Sequence, residues 1–250
     1  MSPDSDNDHL SHMSTVWSMV RQAHDGSMEE NQAARRQLIE RYYKPIHRYF
    51  LAAVGVPETA EELGQEFVLR FLRGTLKGAN PDRGRFRDYV KGVLSHHIAD
   101  HYRKKGSKKN SVQGAFPEPA IEDKVATDLD GQFLENWRRE LLDRAWKELA
   151  AIQRKSGAPF FDVLRFRIDH SSLRSQEIAE KLTVQFGKPV NAAWVRQTLR
   201  RARDKFVQCL IAEVVQTLDA PTLESLESEL LELSLFDYCK ETIKTYRFPK

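Results

Sequence analysis

Between Gly84 and Lys109 the apolar residues Phe86, Val90, Val93, Leu94, Ile98 and Tyr102 recur at intervals of three and four. That spacing predicts one long helix with a single buried stripe, which needs apolar neighbours to cover it. Its entry, other faces and exit carry Arg83, Arg85, Arg87, Lys91, Arg103, Lys104, Lys105, Lys108 and Lys109, opposed only by Asp88 and Asp100. A helix cationic on one side, with aromatic residues interleaved, suits a polyanion, although a solvated basic face is the commoner fate of a charge run.

The flanking stretches are patterned as helices too. Val16–Asp25 reads as a short amphipathic helix, and Glu29–Leu51 as a longer one with Leu38, Ile39, Tyr42, Tyr43, Ile46 and Phe50 facing inward. Pro45 lies inside the second, so a kink or a break is expected there. Val54–Pro57 is a turn, Pro57–Arg73 a third helix, and Gly74–Gly84 a loop dense in turn formers. From Gly106 to Asp130 periodicity is lost among Gly, Pro, Ser and mixed charge, the composition of a flexible linker. The helical pattern restarts over Phe133–Gln153, with Leu134, Trp137, Leu141, Leu142, Ala145, Trp146 and Leu149, and breaks at Gly157-Ala158-Pro159.

Phe160–Asp169 and Ser175–Thr183 are the next predicted helices. Asn191 can cap the one after them, because its side chain accepts bonds from free backbone N–H groups. In that helix Val195, Leu199, Ala202 and Phe206 form the buried stripe, and Trp194, Arg196, Gln197, Arg200, Arg201, Arg203 and Lys205 occupy the other sides. The pair is a helix-turn-helix with a basic second helix. The arginine fork matches O6 and N7 of guanine, and Gln can pair with adenine. Residues near the start of such a helix sit deepest in the major groove, so Arg196, Gln197 and Arg200 are assigned to bases and Arg201, Arg203 and Lys205 to phosphates. Further on, Leu223, Leu226, Leu230 and Leu233 form a stripe on an acidic background. It is either an extra helix packed on the second domain, or a regulatory helix that shields a basic DNA face or binds a partner.

At 250 residues the chain suits two small domains or one large one. Its net charge of +3 conceals acidic ends and a basic middle, as on a nucleic-acid surface with acidic flanks. The two cysteines, Cys209 and Cys239, fit neither a metal-ligand spacing nor a disulfide framework, which points to reducing cytoplasm. No apolar run approaches the roughly 18 residues of a membrane span. The start, MSPDSDNDHLSHM, lacks the regions of a signal peptide and reads as a disordered leader, with Met13 as a second possible start. His96, His97 and His101 with Asp100 have ligand-like spacing, but no second helix offers a His or Cys partner and the neighbouring charge repels a cation. No Gly-rich phosphate loop, nucleophile elbow or carboxylate cluster stands out. Neither metal, cofactor nor catalysis is expected.

Two separated residue sets resemble the sigma-70 family of bacterial transcription initiation factors. Phe86-Arg87-x-Tyr89-Val90 followed by Asp100-x-x-Arg103-Lys104-Lys105 resembles promoter-reading region 2, most closely that of the extracytoplasmic-function group. Tyr89 stands where Trp is usual, and His96 where Asn is usual. Ala60-Glu61-Glu62-Leu63-x-Gln65-Glu66-Phe67 is similar to the family's preceding helix, although an ordinary acidic surface with pairs such as Glu66 to Arg70 would look alike. Gln176–Leu182, then Val195-Arg196-x-x-Leu199-x-Arg201-Ala202-Arg203-x-Lys205, resembles region 4, with a longer turn at Thr183–Val190. The resemblance covers roughly Ala33–Lys109 and Glu135–Val215.

The resemblance implies an all-α protein of two small helical domains. A leader (1–14) precedes a region 2-like bundle (15–105). A flexible linker (106–130) leads to a region 4-like helix-turn-helix domain (131–215) and an acidic C-terminal helical extension (216–250). Such a protein is a non-enzymatic cytoplasmic subunit that gives core RNA polymerase its promoter specificity. Docking on the clamp helices of the polymerase β′ subunit falls to Glu62, Gln65 and Glu66, and the β flap is a further polymerase contact. The −10 element would be melted and held by Arg83, Arg85, Arg87, Tyr89, Lys91, His96, Arg103 and Lys104. The Gly74–Gly84 loop would receive an extruded base, with aromatic faces offsetting the unstacking. The −35 duplex would be read by Trp194, Arg196, Gln197, Arg200, Arg201, Arg203 and Lys205. An anti-sigma factor is a further partner the family allows. A stand-alone helix-turn-helix regulator would leave Ala60–Phe67 unexplained, and an adaptor acting through the acidic C-terminal helix would leave both basic helices unexplained.

Overall fold

The computed structural model describes residues 28–73, 85–109, 123–218 and 221–248. Among them every regular element is a helix: α1 (Met28–Val54), α2 (Pro57–Leu72), α3 (Phe86–Lys109), α4 (Asp123–Ser156), α5 (Phe160–Asp169), α6 (Ser175–Phe186), α7 (Ala192–Val215), α8 (Leu223–Glu232) and α9 (Phe236–Ile243). The expected Val16–Asp25 helix, the Gly74–Gly84 loop and Arg83 lie outside the described residues. Contacts divide the chain into two compact units. The first runs as far as Glu140 and takes in Val215–Leu226; the second comprises Leu141–Val214 and Glu227–Arg247.

The first unit is built on the stripes read from the sequence. Leu38, Tyr42, Ile46 and Phe50 of α1, Ala60, Leu63, Phe67 and Phe71 of α2, and Phe86, Val90, Leu94 and Ile98 of α3 are all buried. Gly55, in the left-handed region at φ 68°, closes α1, and Pro57 opens α2 at a position where its missing N–H costs nothing. The break expected at Pro45 is absent, since α1 continues through it. Tyr42, Ile46, Tyr49 and Phe50 are buried on both sides of the proline. Their packing outweighs the loss of about 3 kcal/mol that an interior proline carries.

The segment expected as a linker, 106–130, is helical at both ends, and residues 110–122 lie outside the described residues. α3 extends through Gly106 to Lys109, and α4 is already helical at Asp123. Leu129, Phe133 and Trp137, spaced by four, are buried in the first unit. Trp137 stacks on Tyr42 with centroids 5.1 Å apart and planes at 15°, and Phe133 meets Tyr49 edge-on at 5.5 Å. That stripe begins inside the segment read as linker, in polar surroundings, and gains its meaning only from the aromatic surface it meets.

In the second unit Leu149 of α4, Val163 and Leu164 of α5, Ile178, Ala179 and Leu182 of α6, and Val195, Leu199 and Ala202 of α7 make one core. Trp146 and Phe206 pack on it with their rings 4.7 Å apart. The C-terminal stripe forms two helices. Ser234, at φ 54°, ends α8, and the Leu235 N–H donates back to the Leu230 carbonyl at 2.8 Å. Leu226, Leu230 and Leu233 are buried, whereas Leu223 is 49 % exposed. Burial pushes the thiols of Cys209 and Cys239 up to about 12, so both behave as small apolar core groups.

Candidate nucleic-acid and polymerase interfaces

The outer face of α2 is opposite its buried residues Leu63, Phe67 and Phe71. Glu62, Gln65 and Leu69, spaced by three and four, are all exposed there. Leu69, 49 % exposed, lies outside the Ala60–Phe67 motif. Its signal was positional, since it continues the row of Glu62 and Gln65. The Gln65 amide donates to Glu61 (3.1 Å), which also accepts from the Tyr43 hydroxyl (3.0 Å) and faces His47 Nε2 (3.3 Å). Gly64 makes room for this, because a Cβ there would stand 3.3 Å from the Tyr43 oxygen.

Glu66 is placed differently from the other two docking candidates. It is half-buried; it accepts from Arg70 Nη2 of its own helix at 2.7 Å, and across to α3 it faces His97 Nε2 at 3.5 Å and Lys104 Nζ at 3.7 Å. Arg70 and Arg103 in turn face Asp100 at 3.8 and 3.3 Å. Burial opposes the charged form of Glu66, but the surrounding cations outweigh it and hold its pKa below the ordinary value. Burial also pushes the His97 pKa down, so that ring is neutral near neutral pH, and Arg70 and Lys104 are the charges that count. Glu66 therefore ties α2 to α3.

On α3 the residues expected at the −10 element separate by helical face. Arg85, Tyr89, His96 and Arg103 are spaced by four and seven and share one side. His96 and Arg103 are exposed and Arg85 is half-buried. His96 Nδ1 lies 2.8 Å from the Gly92 carbonyl and so carries the proton, leaving Nε2 outward. Tyr89 is half-buried beside Phe86 at the rim of an apolar cleft that Tyr42, Phe67 and Phe71 also line; burial pushes its hydroxyl up to about 12. Lys104 is exposed near Glu66, and Lys91, on another flank, bonds Asp130 at 2.9 Å. Arg87 departs from its assignment as a DNA contact. It is only 6 % exposed, because it falls in the same sector as Val90, Leu94 and Ile98.

In the second unit Arg196, Gln197, Arg200, Arg201 and Arg203 are exposed along α7, opposite Val195, Leu199 and Ala202. Asn191 caps the helix as expected, its side-chain oxygen accepting the Trp194 N–H at 2.8 Å. Lys205 is half-buried. Trp194 is half-buried too and packs edge-on against Phe186, at 6.2 Å and 78°. Its ring helps to hold the helix-turn-helix together. Among the described residues no cluster of three or more His, Cys, Asp or Glu could hold a metal, and no helix is long and apolar enough to cross a membrane.

Residues 38–108, most of the α1–α3 bundle, match the family model for sigma-70 region 2. That bundle is thus similar to region 2 of sigma-70 factors. The match spans these residues of the first unit and none of the second. The chain matches no curated protein and no solved structure.

Proposed function

We propose that the chain is an initiation factor of the extracytoplasmic-function type that directs core RNA polymerase by reading two promoter elements. The observation that carries this is the pairing, in one chain, of a region 2 bundle with a separate helix-turn-helix whose second helix exposes Arg196, Gln197, Arg200, Arg201 and Arg203. α7 reads −35 duplex in the major groove. The Arg85, Tyr89, His96 and Arg103 side of α3, with Lys91 and Lys104, holds the −10 strand. The polymerase performs the chemistry, in the cytoplasm, and docks through its β′ clamp helices and β flap. A stand-alone regulator would have no use for the region 2 bundle.

Run-off transcription with core polymerase and genomic fragments tests this reading; absence of any factor-dependent transcript would sink it. In a promoter library, Arg196→Ala, Gln197→Ala and Arg200→Ala each relax preference at one −35 position, by about 1–3 kcal/mol for a lost bidentate pair. Arg203→Ala weakens all promoters alike and flattens the salt dependence. Identical behaviour of the two groups would overturn the division into base and phosphate contacts.

Polymerase docking is separable. Glu62→Arg and Leu69→Asp both lie on the outer row of α2 and leave the core untouched, so each lowers affinity for core enzyme at least tenfold with an unchanged circular dichroism spectrum, which corresponds to about 1.4 kcal/mol or more. Unchanged affinity in both variants would remove this face from the interface.

A further inference from the structure

The turn of the helix-turn-helix is expected to open at Thr183, yet α6 runs on to Phe186. Gly187 ends the added helical turn at φ 64°, in the region where a side chain would be strained. Across the turn the Thr183 hydroxyl donates to the Val190 carbonyl (3.4 Å) and accepts from the Val190 N–H (3.1 Å). Pro189 fixes one more φ angle. Phe186 and Val190 pack on the core of the unit, and Asn191 locks the start of α7. The lengthened turn is thus a rigid knob and not a slack insertion.

The knob turns Val184 (83 % exposed), Gln185, Lys188 and Pro189 outward. Lys188 is the only charge between Thr183 and Asn191. It stands just ahead of the helix end that carries Arg196 and Gln197. In a helix-turn-helix the start of the second helix enters the major groove, so the residues before it emerge at the groove edge, where phosphates lie. A cation on an ordered backbone selects one phosphate and sets register; on a slack loop it adds only diffuse attraction.

We propose that the 187–190 knob is a second DNA-contact element, in which Lys188 holds a backbone phosphate flanking the −35 element and fixes the register of α7. This rests on the reading of the second unit as the −35 reader.

The test uses holoenzyme assembled from the full chain and core polymerase. The probe is the promoter fragment that gives the strongest run-off transcript. Phosphate-ethylation interference, the slope of log affinity against log salt and the preference among single-base variants of the −35 element are measured for wild type, Lys188→Gln, Lys188→Arg, Thr183→Val and Arg196→Ala. Lys188→Gln loses interference at one phosphate beside the −35 element and shallows the slope by about 0.9; Lys188→Arg restores both. Thr183→Val keeps the charge but frees the turn, and it loses interference at the same phosphate. Arg196→Ala alters base preference and leaves that phosphate in place. If Lys188→Gln changes neither readout while Arg196→Ala changes base preference, the knob is no contact and the −35 reading stands. Retention of the phosphate by Thr183→Val reduces Lys188 to diffuse charge and overturns the knob. If wild-type holoenzyme shows no contact with upstream duplex, both readings fall.

Discussion

Deleting Glu227–Lys250 unfolds the second unit. That segment places Leu230, Leu233, Leu235, Cys239 and Ile243 in the interior, none more than 3 % exposed. Burying one large aliphatic side chain stabilises by about 1.5–3 kcal/mol, so the three leucines and the isoleucine together represent about 6–12 kcal/mol. A domain's whole stability is about 5–15 kcal/mol. The deletion also returns to water whatever apolar surface these residues cover. Calorimetry of the truncated chain therefore loses the transition of the second unit, and the DNA binding proposed for α7 goes with it. The single change Leu230→Ala lowers stability by about 2–5 kcal/mol. An acidic tail that merely screens α7 predicts the opposite: an unchanged melting temperature and tighter promoter binding at low salt. That outcome would show the extension to be a regulator. Its buried inner stripe makes it a structural part of the unit.

Trp137→Ala destabilises the first unit by about 3–5 kcal/mol, the loss typical of a buried tryptophan. The residue lies outside the segment matched by the family model, 38–108, yet it is 2 % exposed and stacked on Tyr42. Its ring also lies 5.7 Å from Phe133 and 6.4 Å from Phe86, and such aromatic pairs add to simple burial. Phe86 opens the helix that carries the proposed −10 contacts, so the substitution loosens the start of α3 as well. Urea unfolding followed by far-ultraviolet circular dichroism measures the loss. A change below about 1 kcal/mol would mean that the first half of α4 is a spectator, as expected of a linker.

Most helix boundaries were legible because helical periodicity is local. Phe86, Val90, Leu94 and Ile98 announce the buried side of α3, and Asn191 announces the start of α7 through its capping chemistry. The same locality explains what was missed. Arg87 shares a sector with Val90 and Leu94; its charge suggests exposure, but its position in the stripe buries it. Glu66 belongs to a recognisable motif, but its direction depends on Arg70, His97 and Lys104, two of which come from another helix. The end of α6 was placed at Thr183 because the following residues look like a turn; the Val190 bonds and the packing of Phe186 extend it.

By itself the sequence determined an all-helical chain, the apolar stripes of α1, α2, α3 and α7, and the cationic row of α7, since each follows from residues within a few turns of one another. Only the tertiary structure decided that Trp137 belongs to the first unit, that the C-terminal leucines are interior, that Glu66 faces α3, and that the long turn is rigid. In each case the deciding partner is distant in sequence or lies across a turn. A side chain's spacing names its helix face, but whether that face meets water, protein or DNA depends on what the rest of the chain brings against it.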